Sequence, residues 1–265
     1  MGERAIGIFD SGVGGLTVLK KITALMPNEN IIYFADTLHV PYGNKSPSEI
    51  LSYARNIIKF LIKCDVKIIV IACNTVCATC FGELKKEFKI DLINVLHSGV
   101  ESALLRTKNK SVGIIATEAT IKSRSYEKNI LKKDNSIKIF SEAGPLLVKL
   151  AEEGDFASRK AFDTVEFYLK KFDSTGIDTL ILGCTHFPLF YDSIKKILPY
   201  VNLVDPADET AFKVREYLCT KKMLRDENNL DAVFFVSDDV EKFRQLCEKI
   251  LDINFDSGKF YNMVL

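Results

Sequence analysis

Two cysteines stand in matched surroundings. Cys73 lies near the end of IIVIACNT (68–75) and Cys184 near the end of TLILGCTH (179–186), an offset of 111 residues. A second pair, IGIFDS (6–11) and VGIIAT (112–117), is offset by 106. In all four segments an apolar run hands over to small polar residues. A thiolate on one face of a small acid can take a proton from carbon while a thiol on the other face gives one, and the stereocentre inverts. A reaction that runs both ways needs two acid–base groups of similar type, which a duplicated cysteine supplies. Ser11, Asn74, Thr75, Thr117 and Thr185, with exposed N–H groups beside them, are suited to hold carboxylates. The expected substrate is a small anion with a proton alpha to a carboxylate. A helix starting after each cysteine is expected to lower the thiol pKa.

Other uses of the cysteines are open at this point. Free cysteine is often buried filler, and Cys64, Cys219 and Cys247, on apolar faces of expected helices, read that way. Cys73, Cys77 and Cys80 have the C-x3-C-x2-C spacing of a three-thiolate iron–sulfur site. Against that, Thr79 stands where such motifs usually carry an aromatic, the three share one face of a helix over 74–86, and Cys184 goes unused. His39, His97 and His186 have no zinc-ligand spacing with the cysteines, so no metal is expected. GVGG (12–15) lacks the Gly-Lys-Ser/Thr of a phosphate loop. Its expected use is a tight turn that exposes N–H groups to a ligand carboxylate.

The elements that must position these groups alternate. Apolar runs at 5–9, 31–36, 67–73, 111–117, 137–142, 178–184 and 232–237 read as strands. Amphipathic stretches at 16–26, 46–64, 126–132, 157–171, 207–222 and 240–251 read as helices, and a cysteine-bearing helix follows residue 73. Near-continuous apolar strands separated by helices indicate parallel sheets covered on both faces. The repeat predicts an α/β fold of two similar parallel-sheet units. Ligands bind at the carboxyl ends of such strands, so two facing units would share one cleft. The polar stretch 221–229 is expected to be a surface loop.

Composition narrows the field. The 265 residues suit one large or two small domains. Lys plus Arg number 36 against 35 Asp plus Glu, a net charge of +1, which argues against a nucleic-acid backbone as main partner. The longest apolar run, Ile68 to Cys73, is far short of the ~20 residues of a membrane-spanning helix. MGERAIGIFDSG does not read as a signal peptide, and seven cysteines then read as free thiols in a reducing compartment. A soluble, cytoplasmic protein is expected, with no membrane partner.

FDSGVGGL (9–16), PYG (41–43), ACNT (72–75), T-x-x-T-I-x-S-x-x-Y (117–126) and LGCTHFPL (182–189) together resemble bacterial glutamate racemases, in the family's order, from residue 6 to about 210. The family lies in the aspartate/glutamate racemase superfamily, whose aspartate racemases carry Glu where His186 stands. The resemblance implies two α/β domains related by pseudo-twofold symmetry with the active site between them. Here these would be 1–96 plus 209–265, the C-terminal segment returning to the first domain, and 97–208. It implies cofactor-independent, pyridoxal-phosphate-free interconversion of L- and D-glutamate, supplying D-glutamate for peptidoglycan, cell-wall biogenesis and cell shape, in a family that is often dimeric. Carried over, Cys73 would deprotonate D-glutamate with help from Asp10, and Cys184 would deprotonate L-glutamate with help from His186. Asp10, Ser11, Tyr42, Gly43, Asn74, Thr75, Thr117, Thr120, Thr185 and His186 would hold the substrate. Glu152 would support His186. The stretch GPLLVKLAEEG (144–154) departs from the family pattern at Gly144 and Lys149, which makes Glu153 a rival to Glu152. A racemase for aspartate or another small acid, or a non-catalytic anion-binding protein, are the alternative readings.

Overall fold

A computed structural model describes residues 3–226, 231–252 and 259–265. Among them, ten strands form two parallel sheets. The first contains β1 (Ile6–Asp10), β2 (Ile31–Ala35), β3 (Ile68–Ile71) and β4 (Leu92–Asn94). The second contains β5 (Ser111–Ala116), β6 (Lys138–Ala143), β7 (Thr179–Gly183) and β8 (Asn202–Val204). The chain then returns to the first sheet with β9 (Ala232–Val236) and β10 (Lys259–Asn262). The spatial orders are β10-β9-β2-β1-β3-β4 and β6-β5-β7-β8. The order β2-β1-β3-β4 is thus repeated as β6-β5-β7-β8, the structural form of the sequence repeat.

Burial follows from the strand sequences. β1, β3, β5 and β7 are buried at every residue, as expected for strands covered on both faces. The helix Pro47–Lys63 begins as its sequence dictates. Ser46 accepts from the Glu49 N–H at 3.3 Å, Glu49 accepts from the Ser46 N–H at 2.9 Å, and Pro47 fills the first turn. The helices Val95–Arg106 and Pro206–Thr220 carry the chain between the sheets and pack against each other.

Some expectations need correction. The helix expected over 74–86 breaks at Cys80, whose φ of −138° divides it into Asn74–Thr79 and Phe81–Glu87. The sequence pattern does not mark β4 and β8, which have three residues each, too few for a periodicity. Nor does it mark Val95–Arg106, because Ser98, Gly99 and Ser102 interrupt the apolar stripe on its buried face. Residues 227–229 of the expected surface loop lie outside the described residues. Of the rest, Met223 is buried and its carbonyl accepts from the Lys67 ammonium at 2.9 Å, so that part of the loop is anchored to the first sheet. No helix of the described residues is long and apolar enough to cross a membrane.

Candidate active site

The carboxyl ends of β1, β3, β5 and β7 meet between the two sheets. Cys73 follows β3 after Ala72, and Cys184 follows β7 directly. Both are buried and line one cavity, together with Ser11, Pro41, Tyr42, Gly43, Asn74, Thr75, Thr117, Val148, Thr185 and His186. The space enclosed is about 10 Å³, room for about one water. Pro41 and Val148 were not candidates from sequence: an apolar side chain beside a ligand has no local signature. Asp10, Thr120 and Glu152 stand behind this lining and touch it. Thr120 accepts from the Thr117 hydroxyl at 2.9 Å, and Thr117 is in turn 2.9 Å from the Thr75 hydroxyl, a chain that crosses the cleft. Tyr42 donates its one hydroxyl proton to Asp36 at 2.5 Å, so toward a ligand that hydroxyl can only accept.

The Cys184 side is built as a relay. Its Sγ is 3.4 Å from His186 Nδ1, and His186 Nε2 is 2.6 Å from Glu152 Oε1. Glu152, at the end of the helix Pro145–Glu152, therefore reaches the imidazole. Its rival Glu153 is exposed and pairs with Lys149 at 3.9 Å. Burial works against charge on His186, but its contacts with Cys184 and the Glu152 carboxylate push its pKa well above the ordinary histidine value.

The Cys73 side differs. Its Sγ is 4.0 Å from the Ser11 hydroxyl. Burial pushes the thiol well up and the negative charge of Asp10 adds to it, while the Val76 N–H opposes them. The expected lowering by a helix N-terminus is overturned here: a six-residue helix does not offset desolvation plus a neighbouring carboxylate. After Cys184 there is no α-helix N-terminus, because residues 187–190 form a single 3₁₀ turn. The thiols of Cys77 and Cys80 each donate to a main-chain carbonyl, of Ile71 at 3.3 Å and Val76 at 3.4 Å.

The GVGG turn also needs correction. The N–H groups of Gly12 and Gly15 donate to Asp10 Oδ2 at 3.3 and 2.9 Å, and that of Val13 to Glu152 Oε1 at 3.1 Å. These three groups bind the protein's own carboxylates, not a ligand's. Asp10 is fully buried and also accepts from the Thr185 hydroxyl at 3.4 Å. Burial raises its pKa, and the positive charge of His186 only partly opposes that. Gly12 is required by close approach, since a Cβ there would lie 2.0 Å from Glu152 Oε1. Gly12→Ala is expected to displace Glu152 and to cost about 1–3 kcal/mol of stability, read from the urea midpoint.

Comparison with known proteins agrees with this architecture. The sequence profile of the Asp/Glu/Hydantoin racemase family matches residues 6–213. A glutamate racemase of Thermoanaerobacter pseudethanolicus is 45% identical over 252 residues, covering 95% of this chain and 94% of that protein. The crystal structure of glutamate racemase from Francisella tularensis in complex with D-glutamate superposes with a TM-score of 0.92 at 38% identity, covering 100% of this chain and 98% of that one. A glutamate racemase isoform from Bacillus anthracis gives 0.95 at 34% identity, covering 100% and 99%. The repeated sheet, the facing cysteines and these matches lead to one assignment: the chain belongs to the Asp/Glu/Hydantoin racemase family.

Proposed function

We propose that this protein is a glutamate racemase that interconverts L- and D-glutamate by a two-cysteine proton transfer. The observation that carries the reading is that Cys73 and Cys184, which follow strands of different sheets, line one small cavity with hydroxyl and amide groups. The relatives named glutamate racemase, and the D-glutamate bound by one of them, supply the substrate.

In the L-to-D direction the Cys184 thiolate removes the α-proton. The electron pair left on carbon spreads into the α-carboxylate, whose added charge is met by the Ser11 hydroxyl and the main-chain N–H groups of Thr75 and Thr185. The Cys73 thiol then gives its proton to the opposite face. The reaction leaves the thiol on Cys184 and the thiolate on Cys73, and D-glutamate restores the starting state by the reverse path. His186 holds positive charge beside Cys184, and Glu152 fixes the ring and balances that charge. Burial and the nearby Asp10 favour the thiol form at Cys73, which suits it to act first as the acid. The small cavity keeps water from quenching the carbanion, and substrate entry requires the walls to part. The product D-glutamate would serve peptidoglycan synthesis in the cytoplasm.

The test is L-glutamate with purified, reduced protein in D2O without pyridoxal phosphate, followed by proton NMR and chiral analysis. Loss of the α-proton signal with D-glutamate accumulating is expected. Exchange of aspartate and not glutamate would move the substrate. D-Glutamate binding with no exchange would leave an anion-binding protein.

A further inference from the structure

Tyr126 ends the T-x-x-T-I-x-S-x-x-Y stretch, is buried, and is not a cavity-lining residue. It sits in the helix Ser125–Lys133, which follows β5, yet its hydroxyl donates to Asn74 Oδ1 at 2.6 Å, across the cleft. Asn74 is the residue after Cys73. The other end of the contact is equally specific. A Cβ on Gly183, the residue before Cys184, would lie 3.1 Å from the Tyr126 ring. One on Gly99 would lie 3.1 Å from the Tyr126 oxygen and 3.0 Å from Pro206. Gly99 therefore makes room for this ring, and Gly183, where a Cβ would also lie 3.0 Å from Ala116 Cβ and 3.1 Å from the Ile115 carbonyl, lies against it, so the ring spans the segments that carry the two cysteines.

The chemistry of an amide makes the contact directional. An asparagine carbonyl accepts and its NH2 donates. With Oδ1 taken by the phenol, the end left for the cavity is the one that can bind a carboxylate. Burial raises the phenol pKa well above its ordinary value, so the hydroxyl remains a donor through the working pH range.

We propose that Tyr126 is a positioning residue that fixes the Asn74 amide with its NH2 toward the substrate carboxylate. This rests on the glutamate racemase reading and adds a residue that never touches substrate. The interaction is present with either enantiomer, in ground state and transition state alike, so it acts through binding.

Tyr126→Phe keeps the ring on Gly183 and Gly99 and deletes only the oxygen. The expected result is a KM about tenfold higher in both directions, with kcat within about threefold of wild type. Adding Tyr126→Phe to Asn74→Ala is expected to raise KM no further, because the amide it orients is gone. A purely structural tyrosine would lower Tm without this KM–kcat split. Gly99→Ala, which crowds the Tyr126 oxygen without touching Asn74, should raise KM in the same sense and serves if the Phe variant does not fold. An unchanged KM in folded Tyr126→Phe, or full additivity with Asn74→Ala, overturns the inference while wild-type turnover leaves the function standing. A wild type that does not racemise glutamate overturns both.

Discussion

Cys73→Ser and Cys184→Ser are each expected to lower racemisation by about a thousandfold or more, within the range that a positioned acid or base contributes. A hydroxyl is a far weaker acid than a thiol, and its oxygen cannot serve as the anionic base near neutral pH. The change from sulfur to oxygen keeps the shape of these buried sites, so Tm should move by only ~2–4 °C. The isotopes give the sharper readout. In Cys73→Ser the remaining cysteine can still remove the L-glutamate α-proton, but nothing reprotonates the far face. L-Glutamate should therefore exchange its α-hydrogen in D2O faster than it inverts, and Cys184→Ser should show the same with D-glutamate. Wild-type inversion rates in either variant would remove the two-thiol mechanism.

The second large effect is expected at His186. His186→Asn removes the cation held 3.4 Å from Cys184 and leaves Glu152 without its imidazole partner. A drop of about a hundredfold in kcat/KM is expected. Because the enantiomers have equal free energy, kcat/KM must fall equally in both directions, and only its division between kcat and KM can differ. Stability gives an independent check. The folded pKa of His186 is raised above the unfolded value of about 6.5, so its contribution is fully present below that pH and is lost as pH rises through the folded value. Urea midpoints of wild type and His186→Asn should therefore converge as pH rises above about 6.5 and through the raised folded value. A constant gap would show that the histidine does not carry charge there.

The sequence exposed what repeats and what ends a strand. Cys73 and Cys184, with Ser11, Asn74, Thr75, Thr117 and Thr185, are legible because a buried parallel strand has only its carboxyl end free for chemistry. Long-range partners are not. Val13 and Glu152 are 139 residues apart, and Tyr126 is 52 from Asn74. No local spacing announces that the GVGG N–H groups turn to Asp10 and Glu152. The direction of the Cys73 pKa was also hidden, since it follows from burial among neighbours from several elements. The family resemblance supplied Asp10, His186 and Glu152 as candidates, and the relay to Cys184 became visible only as distances. Residues such as Pro41 and Val148 shape the cavity with side chains that could fill any core.

The bond from the Val13 N–H to Glu152 ties an element of the first sheet to an element of the second. Its acceptor, Oε1, is the same oxygen that reaches His186 Nε2. Any separation of the sheets wide enough to admit an amino acid takes Val13 away from that oxygen and loosens the clamp on the imidazole. The parted form thus holds the imidazole beside Cys184 with one restraint fewer on its carboxylate partner, and the docked form restores it. Unlocking the door and disarming the reagent are one displacement, so a substrate has to be enclosed before it meets a competent base.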